Sequence, residues 1–212
     1  MPSAAILNGG RAVRFGGSDK GALRVGGRTV RAWQLEQLAA VSDDLMLVGG
    51  TPPPVDAYEP PYRVVADSHP GLGPLAGLEA ALAAARHELV VVVACDMPGI
   101  TASLLTRLLA LADEVDLVVP RSERGYHPLC AVYRRSTCLP VARQHLIERR
   151  LAVRGLFPAL RLRELAGPAL AAAGDPDQLL ANINTPAEHR AIAARADDQG
   201  DDRAHTAHIH EP

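Results

Sequence analysis

Short apolar runs alternate with helix-like segments along the chain as far as about residue 133. The runs predict strands at residues 4–7, 45–48, 63–66, 89–94, 116–119 and 129–133. Apolar residues at helical spacing predict helices between them, at 29–40, 73–86 and 101–111. Because the runs are apolar throughout rather than alternating, they are typical of strands buried on both faces. The pattern predicts an α/β fold, in which a Rossmann-like, mostly parallel sheet carries helices on both faces and forms three layers.

The C-terminal part of the chain is less regular than the rest. After about residue 140 arginine becomes more frequent, but no linker separates this part from the preceding one. We expect one domain over residues 1–196, in which about 125–195 form a small C-terminal lobe. Residues 197–212 are acidic at first and then dotted with histidines, which predicts a flexible tail.

Composition excludes several classes of protein. Lys and Arg number 22 and Asp and Glu 24, so the 212-residue chain has a formal net charge of −2. That balance excludes a general basic surface for nucleic acid, and aromatic residues, at 3%, are too few for base-stacking platforms. Hydrophobic residues make up 48% of the chain, which excludes the composition of a disordered protein.

The cysteines and the lengths of the apolar runs indicate which cellular compartment to expect. Cys95, Cys130 and Cys138 form neither a disulfide framework nor a zinc-ligand spacing, which is typical of a reducing compartment. No secretory signal is visible, and the longest apolar run, 89–95, is far too short to cross a bilayer. We therefore expect a cytoplasmic protein without a membrane or nucleic-acid partner.

A glycine-rich basic segment, LNGGRAVRFGGSDK, follows the first predicted strand at residues 7–20. Its glycines let backbone N–H groups approach a ligand, and Arg11, Arg14 and Lys20 offer donors that suit phosphate oxygens. Residues 1–31 contain six Lys or Arg and one acid, an excess of +5 in a chain of net charge −2. The segment predicts a phosphate site, although its spacing matches neither the Walker loop nor the dinucleotide fingerprint. The alternative is a solvated surface loop.

A carboxylate follows the valine-rich predicted strand, in the segment Cys95-Asp96-Met97-Pro98. In open α/β sheets, ligands bind outside the carboxyl ends of the strands. Mg²⁺ is commonly held by one or two carboxylates together with substrate phosphates. Beside a phosphate loop, Asp96 is therefore predicted to hold Mg²⁺. Taken alone, it is more typical of a residue that caps the turn before Pro98.

Two further segments carry weaker signals. The segment DSHPGLGPLAG at 67–77 enters a predicted helix, whose first amides and small residues suit a polar or flat ligand. Asn182 and Asn184 point the same way if the segment NINTP is extended. The alternatives are an ordinary loop with Asp67 as a turn residue, and a helix start with Thr185 as its N-cap.

Taken together, in this order and at these spacings, the segments resemble the motifs of the molybdenum cofactor guanylyltransferase family (MobA family). The opening segment is similar to L-A-G-G-x-x-x-R-M-G-x-x-D-K, with Asn8 in place of Ala and Phe15 in place of Met. The further matches are D-x-x-x-x-x-G-P-L-A-G at 67–77, C-D-x-P at 95–98, His-Pro at 127–128, E-R-R at 148–150 and N-x-N-T-P at 182–186. The resemblance covers roughly residues 4–195.

The resemblance implies a Mg²⁺-dependent nucleotidyltransferase that joins GMP from GTP to the terminal phosphate of molybdopterin and releases pyrophosphate. A molybdoenzyme or its chaperone is a further implied partner. By motif position, the nucleotide contacts are Leu7, Asn8, Gly9, Gly10, Lys20, Asp67, Gly77 and Asp96. The implied catalytic residues are Arg14, Lys20 and Asp96, with Asp96 as the Mg²⁺ ligand. The implied pterin contacts, in the lobe at about 125–195, are His127, Asn182 and Asn184.

Several alternatives remain open at this point. A cytidylyltransferase, or another nucleotidyltransferase with a phosphate acceptor, would share the fold. A nucleotide-binding regulator without catalysis is a second class, and the presence of Lys20 and Asp96 argues against it. Asn8 could add a hydrogen bond to the base or narrow its pocket. The six arginines between residues 143 and 163 suit either a solvated helix face or an anionic pterin site.

Overall fold

The computed structural model describes residues 1–8, 24–25, 28–50 and 59–183. Within these ranges eight strands form one mixed sheet: β1 (Ser3–Leu7), β4 (Asp44–Val48), β5 (Arg63–Val65), β6 (Leu89–Ala94), β7 (Leu117–Ser122), β8 (Gly125–Tyr126), β9 (Cys130–Arg134) and β10 (Leu162–Ala166). The short strands β2 (Arg24–Val25) and β3 (Arg28–Thr29) pair with each other. The helices are α1 (Val30–Ala39), α2 (Pro74–Ala84), α3 (Ala102–Ala110), α4 (Arg135–Ile147), α5 (Gly167–Ala171) and α6 (Pro176–Leu179), with a 3₁₀ helix at Val153–Ala159.

The strands follow one another across the sheet in the order β10-β7-β9-β6-β1-β4-β5, and β8 pairs with β7. Neighbours β6, β1, β4 and β5 are parallel, as are β7 and β10. The predicted mostly parallel α/β sheet is therefore confirmed. Two strands depart from it: β9 runs antiparallel to both β6 and β7, and the short strand β8 runs antiparallel to β7. Only residues 123–129 connect β7 to β9, too few for the crossover that a parallel strand requires.

Helices cover both faces of the sheet, as the apolar runs predict. Alternate residues of each strand point to opposite faces, so Ile6 of β1 packs with α1 and α3 while Ala5 packs with α2 and α4. The first face buries Leu35 and Leu38 of α1, and the second buries Leu78 of α2. Complete burial of a leucine or valine side chain contributes roughly 1.5–3 kcal/mol. Two apolar layers of this kind hold the sheet rigid.

The helix starts follow the expected local chemistry. Thr101 is the N-cap of α3, and its side chain accepts a hydrogen bond from the Leu104 N–H at 3.3 Å. Thr29 caps α1 in the same way, accepting from the Ala32 N–H at 3.1 Å. Pro74 occupies the first turn of α2, where its missing N–H costs nothing. Within the described ranges, no helix combines the length and apolar character that a membrane span requires.

Residues 135–183 contribute more regular structure than the sequence pattern indicates. The strand β10 pairs with β7 at one edge of the sheet and was not predicted. Its segment includes Arg163 and Glu164, so it lacks a continuous apolar run. Edge strands are often polar, since one side of the strand faces solvent. Residues beyond 183, including the predicted tail, lie outside the described ranges.

Candidate active site

The residues of the candidate site lie along the edge of the sheet that is formed by the carboxyl ends of several strands. Asn8 directly follows β1, Asp96 comes two residues after β6, and Asp67 comes two residues after β5. These three strands are parallel within the order β6-β1-β4-β5, so their carboxyl ends share one edge. That edge is where open α/β sheets bind ligands. The structure thus brings together three predicted site residues that are distant in sequence.

Asn8 is fixed by the neighbouring strand β4. Its N–H donates to the Val48 carbonyl at 2.8 Å, and the next N–H along β4, that of Gly49, donates to the Val65 carbonyl at 2.9 Å. Gly49 and Gly50 have φ values of +77° and +70°, which favour glycine. A Cβ on Gly50 would lie 2.9 Å from Asn8 Nδ2. The side-chain amide of Asn8 therefore packs against Gly50, where any larger residue would clash with it.

Asp96 lies in a tight turn at the end of β6. The Cys95 N–H donates to the Leu7 carbonyl at 3.2 Å, which ties the turn to β1. The Ile183 N–H donates to the Asp96 carbonyl at 2.8 Å, which brings the C-terminal segment to the same place. Asp96 itself is half-buried. Because Asn182 directly precedes Ile183, it lies beside the Asp96 turn, and it is exposed.

The donor set at this turn fits a Mg²⁺ ion held jointly with a substrate. Among the described residues, no three His, Cys, Asp or Glu side chains form a group that could hold a metal alone. Mg²⁺ typically takes only one or two carboxylates from the protein and the remaining oxygens from phosphates and water. Asp96, at the ligand-binding edge of the sheet, supplies a carboxylate of that kind.

Asp67 has a local hydrogen bond. Its Oδ1 accepts from the His69 N–H at 2.8 Å, which is the turn contact expected under the alternative interpretation of this residue. The loop then enters α2, where Gly77 faces Leu7. A Cβ on Gly77 would be 3.6 Å from the Leu7 side chain, which is itself buried in the core. Leu7 and Gly77 thus pack β1 against α2 immediately below the edge.

His127 lies on the other side of Asp96 from Asn8. Two residues along, the Leu129 carbonyl accepts from the Ala94 N–H at 2.8 Å, so this segment lies beside the end of β6. The His127 Nε2 and Ser122 Oγ form a hydrogen bond of 2.8 Å. Burial, together with the positive charges of Arg154 and Arg124, lowers the pKa of His127 below its usual value. This lowering of the pKa favours the neutral form of the imidazole.

Sequence reasoning missed a buried amide that contacts the Asp96 turn. Gln34 of α1 donates through Nε2 to the Ala94 carbonyl at 2.8 Å and to the Met97 carbonyl at 2.9 Å. Its side chain is fully buried. The signal in the sequence was a polar residue between Trp33 and Leu35, within the apolar stripe of a predicted helix. That signal does not identify the partner, because the contact is made 60 residues away.

The arginine-rich stretch at 143–163 makes contacts that favour structural roles for three of its residues. Arg143 forms an ion pair with Glu79 at 2.8 Å, and Arg161 forms one with Asp116 at 2.9 Å. Arg163 donates to the Leu111 carbonyl at 3.0 Å. Arg154 instead donates to the Tyr126 carbonyl, close to His127. Gly9, Gly10, Arg14, Lys20 and Asn184 lie outside the described residues.

Comparison with known proteins gives consistent results. The model of the MobA-like NTP transferase domain matches residues 4–165. A molybdenum cofactor guanylyltransferase of Desulfosudis oleivorans is 35% identical over 185 residues, covering 86% of this chain and 90% of that protein. A molybdenum cofactor guanylyltransferase of Ectopseudomonas mendocina is 35% identical over 195 residues, covering 92% and 93%.

Solved structures share the fold at lower identity. The molybdopterin-guanine dinucleotide biosynthesis protein A of Archaeoglobus fulgidus has a TM-score of 0.75 at 21% identity, covering 92% of this chain and 99% of that one. The 2-C-methyl-D-erythritol 4-phosphate cytidylyltransferase of Thermus thermophilus has a TM-score of 0.63 at 16% identity, covering 92% and 99%. From the matching domain model and the relatives at 35% identity, this chain belongs to the MobA-like NTP transferase family, as its ordered motifs predict.

Proposed function

We propose that this chain transfers GMP from GTP to the terminal phosphate of molybdopterin, releasing pyrophosphate and forming a guanine dinucleotide cofactor. The observation that carries the proposal is the position of Asp96 along the edge of the sheet. Asn8 and Asp67 lie on one side of it, while His127 lies on the other and Asn182 lies beside the turn itself. A carboxylate in that central position suits a metal that acts between a nucleotide and an acceptor. The names of the relatives at 35% identity support guanine as the base.

Two groups of residues would bind the substrates in this proposal. The nucleotide side would comprise Leu7, Asn8, Gly9, Gly10, Lys20, Asp67 and Gly77. The pterin side, within about 125–195, would comprise His127, Asn182 and Asn184. The exposed amide of Asn182 is suited to donate hydrogen bonds to a phosphate or to pterin acceptors.

The reaction is a displacement at the α-phosphorus of GTP. An oxygen of the acceptor phosphate forms the new P–O bond, and the bond to the bridging α–β oxygen breaks, so that pyrophosphate leaves with the electron pair. Both reactants are anions, and Arg14 and Lys20 would reduce their repulsion and stabilise the charge that develops. Asp96 would hold a Mg²⁺ ion, which neutralises charge on the phosphate oxygens when it is bound.

The chain needs no general base for this reaction. A phosphate nucleophile is already ionised at neutral pH, so no proton has to be removed from it. The lowered pKa of His127 favours a binding role, since a neutral imidazole offers one donor and one acceptor. The hydrogen bond between Nε2 and Ser122 leaves Nδ1 as the ring nitrogen that would interact with the acceptor.

The test is pyrophosphate release from the purified protein with Mg²⁺ and molybdopterin, comparing GTP with CTP. We expect release with GTP and little with CTP. The Asp96→Ala variant should remain folded and lose at least about two orders of magnitude in rate, because a metal contributes several kcal/mol of charge stabilisation. Preference for CTP would contradict the assignment of GTP as the nucleotide substrate. Release of pyrophosphate with neither nucleotide would contradict the assignment of molybdopterin as the acceptor. A wild-type rate in Asp96→Ala would contradict the metal site.

A further inference from the structure

Helix α1 holds the turn that carries Asp96 through consecutive side chains. Gln34 donates to the carbonyls of Ala94 and Met97, which lie on either side of Asp96, at 2.8 and 2.9 Å. Its neighbour Trp33 donates through Nε1 to the Ile100 carbonyl at 3.0 Å, at the far end of the same turn. One helix therefore fixes the turn at both ends, although 60 or more residues separate the partners in sequence.

The chemistry of this contact is specific to glutamine. Both amide protons of Gln34 Nε2 are directed at carbonyl oxygens, and the side chain is fully buried. A carboxylate at this place would direct a negative oxygen at two carbonyl dipoles. An apolar side chain of the same size would leave both carbonyls without these donors. A neutral amide contributes two N–H donors to these oxygens without burying a charge, and the Ala94 carbonyl also accepts from the Met97 N–H at 3.3 Å.

The opposite side of the turn is held by the C-terminal segment. The Ile183 N–H donates to the Asp96 carbonyl at 2.8 Å. A Cβ on Gly99 would lie 1.9 Å from the Gln178 carbonyl oxygen, so the two backbones are in close contact there. The turn is thus clamped between α1 and residues 178–183, and its backbone has little freedom to shift.

We propose that Gln34 is a positioning residue for Asp96, which sets the carboxylate in the orientation that a divalent cation requires. The inference rests on the proposed function, in which Asp96 holds the metal. Mg²⁺ demands near-ideal octahedral geometry, so a small displacement of one oxygen ligand weakens binding. Outer partners that orient metal ligands typically contribute 10–100-fold to metal affinity. Gln34 acts on the ion only through the backbone on either side of its ligand.

The test measures Mn²⁺ binding to the GTP-bound protein by electron paramagnetic resonance, with Mn²⁺ as the probe for Mg²⁺. We expect the Gln34→Met variant, which keeps the side-chain volume and removes both donors, to bind Mn²⁺ about tenfold more weakly than wild type. Its affinity for GTP without metal should stay within about twofold, because the hydrogen bonds of Gln34 go to the turn that carries Asp96. An unchanged Mn²⁺ affinity in a folded Gln34→Met variant overturns the proposal.

Two controls separate this proposal from the proposed function. The Asp96→Asn variant gives the Mn²⁺ affinity that remains when the carboxylate charge at position 96 is removed. If Asp96→Asn binds Mn²⁺ as wild type does, the metal site itself is wrong. If Asp96→Asn loses affinity and Gln34→Met does not, the metal site stands and the role of Gln34 is overturned. The Gln37→Met variant is the matched control, since Gln37 accepts from the Ala102 N–H at the start of α3, outside the turn.

A second substitution covers the case in which Gln34→Met does not fold. In Gln34→Glu, the neutral acid restores one of the two donors, whereas the ionised form restores neither. Burial raises the pKa of such a carboxyl, so protonation occurs in an accessible range. We expect the Mn²⁺ affinity of Gln34→Glu relative to wild type to recover as the pH falls from about 8 to about 6. A ratio that does not change with pH overturns the proposal.

Discussion

The side chain of Asn8 lies directly over Gly50, where an added Cβ would come within 2.9 Å of both Asn8 Nδ2 and the Asn8 carbonyl oxygen. Gly50 also has a φ of +70°, a conformation that side chains disfavour. Asn8 is larger than the alanine that the family motif has at this position. It fits because Gly50, just after the neighbouring strand β4, has no side chain. The amide of Asn8 is held at the edge of the sheet where the nucleotide is proposed to bind.

The Gly50→Ala substitution is expected to displace Asn8 and weaken GTP binding by about tenfold, the effect of losing roughly one hydrogen bond. Titration calorimetry with GTP measures the change. Gly167→Ala is the matched control, because Gly167 also has a positive φ, +54°, but an added Cβ would meet nothing within 4 Å. Equal GTP affinity in Gly50→Ala and wild type would show that the position of the Asn8 side chain does not affect the nucleotide.

Gly99→Ala tests the contact between the Asp96 turn and the C-terminal segment. The added Cβ would meet the Gln178 carbonyl oxygen at 1.9 Å, and a backbone atom cannot rotate away as a side chain can. We expect a melting temperature several degrees lower and a transfer rate at least about tenfold lower, because misplaced catalytic groups are costly. In Gly155→Ala, the control, the Cβ would meet only the His145 ring at 3.4 Å. A Gly99→Ala variant as stable and active as wild type would contradict this close approach.

His127 is expected to titrate below the usual histidine pKa. Burial is the largest cause, followed by the charges of Arg154 and Arg124, and all three disfavour the protonated ring. Because the folded-state pKa is lowered, the neutral ring stabilises the fold above pH 6.5, and that contribution is lost as the pH falls through the folded-state pKa. Ring ¹⁵N chemical shifts follow the titration, with His127→Gln identifying the signal. Arg154→Met should move the midpoint upward, and a midpoint above 6.5 in wild type would contradict the environment described.

Asp116 is expected to contribute to stability only above acidic pH. It accepts hydrogen bonds from the Arg161 N–H at 2.8 Å and from Nη2 at 2.9 Å, and the side-chain hydrogen bond with Arg161 is the largest cause that lowers the pKa of Asp116 to about 2. An unfolded aspartate titrates near 3.9. The contribution is therefore complete above about pH 5 and is lost as the pH falls toward the folded-state value.

The Asp116→Asn variant should melt roughly 2–4 °C below wild type at pH 7, the effect of about 1 kcal/mol for a chain of this length. The difference should shrink as the pH falls from about 5 toward about 2, because protonation of the unfolded-state carboxyl removes the stabilisation until the folded-state carboxyl also begins to protonate. Asp113→Asn is the control, since Asp113 is exposed and a substitution there is expected to change the melting temperature little. A difference between Asp116→Asn and wild type that is constant with pH would contradict the role of the Asp116 charge.

Much of the fold follows from local pattern. The continuous apolar run 89–94 forms a buried strand, and Thr101 caps α3 through atoms only three residues away. The direction of β9 could also be predicted from the sequence, because its short connection to β7 excludes a crossover. The polar edge strand β10 could not be predicted in this way, because its hydrogen bonds depend on the neighbouring strand β7.

The sequence by itself determined the α/β class, the strand-end position of Asp96 and the family, because strand periodicity and ordered motifs are local properties of the chain. Only the tertiary structure decided that Gln34 holds the Asp96 turn, that Ile183 brings Asn182 beside it, and that Gly50 makes room for Asn8. Each of these depends on a hydrogen bond or a close approach between segments far apart in the chain. Such contacts exist only once the sheet and its helices have packed, so no local pattern records them.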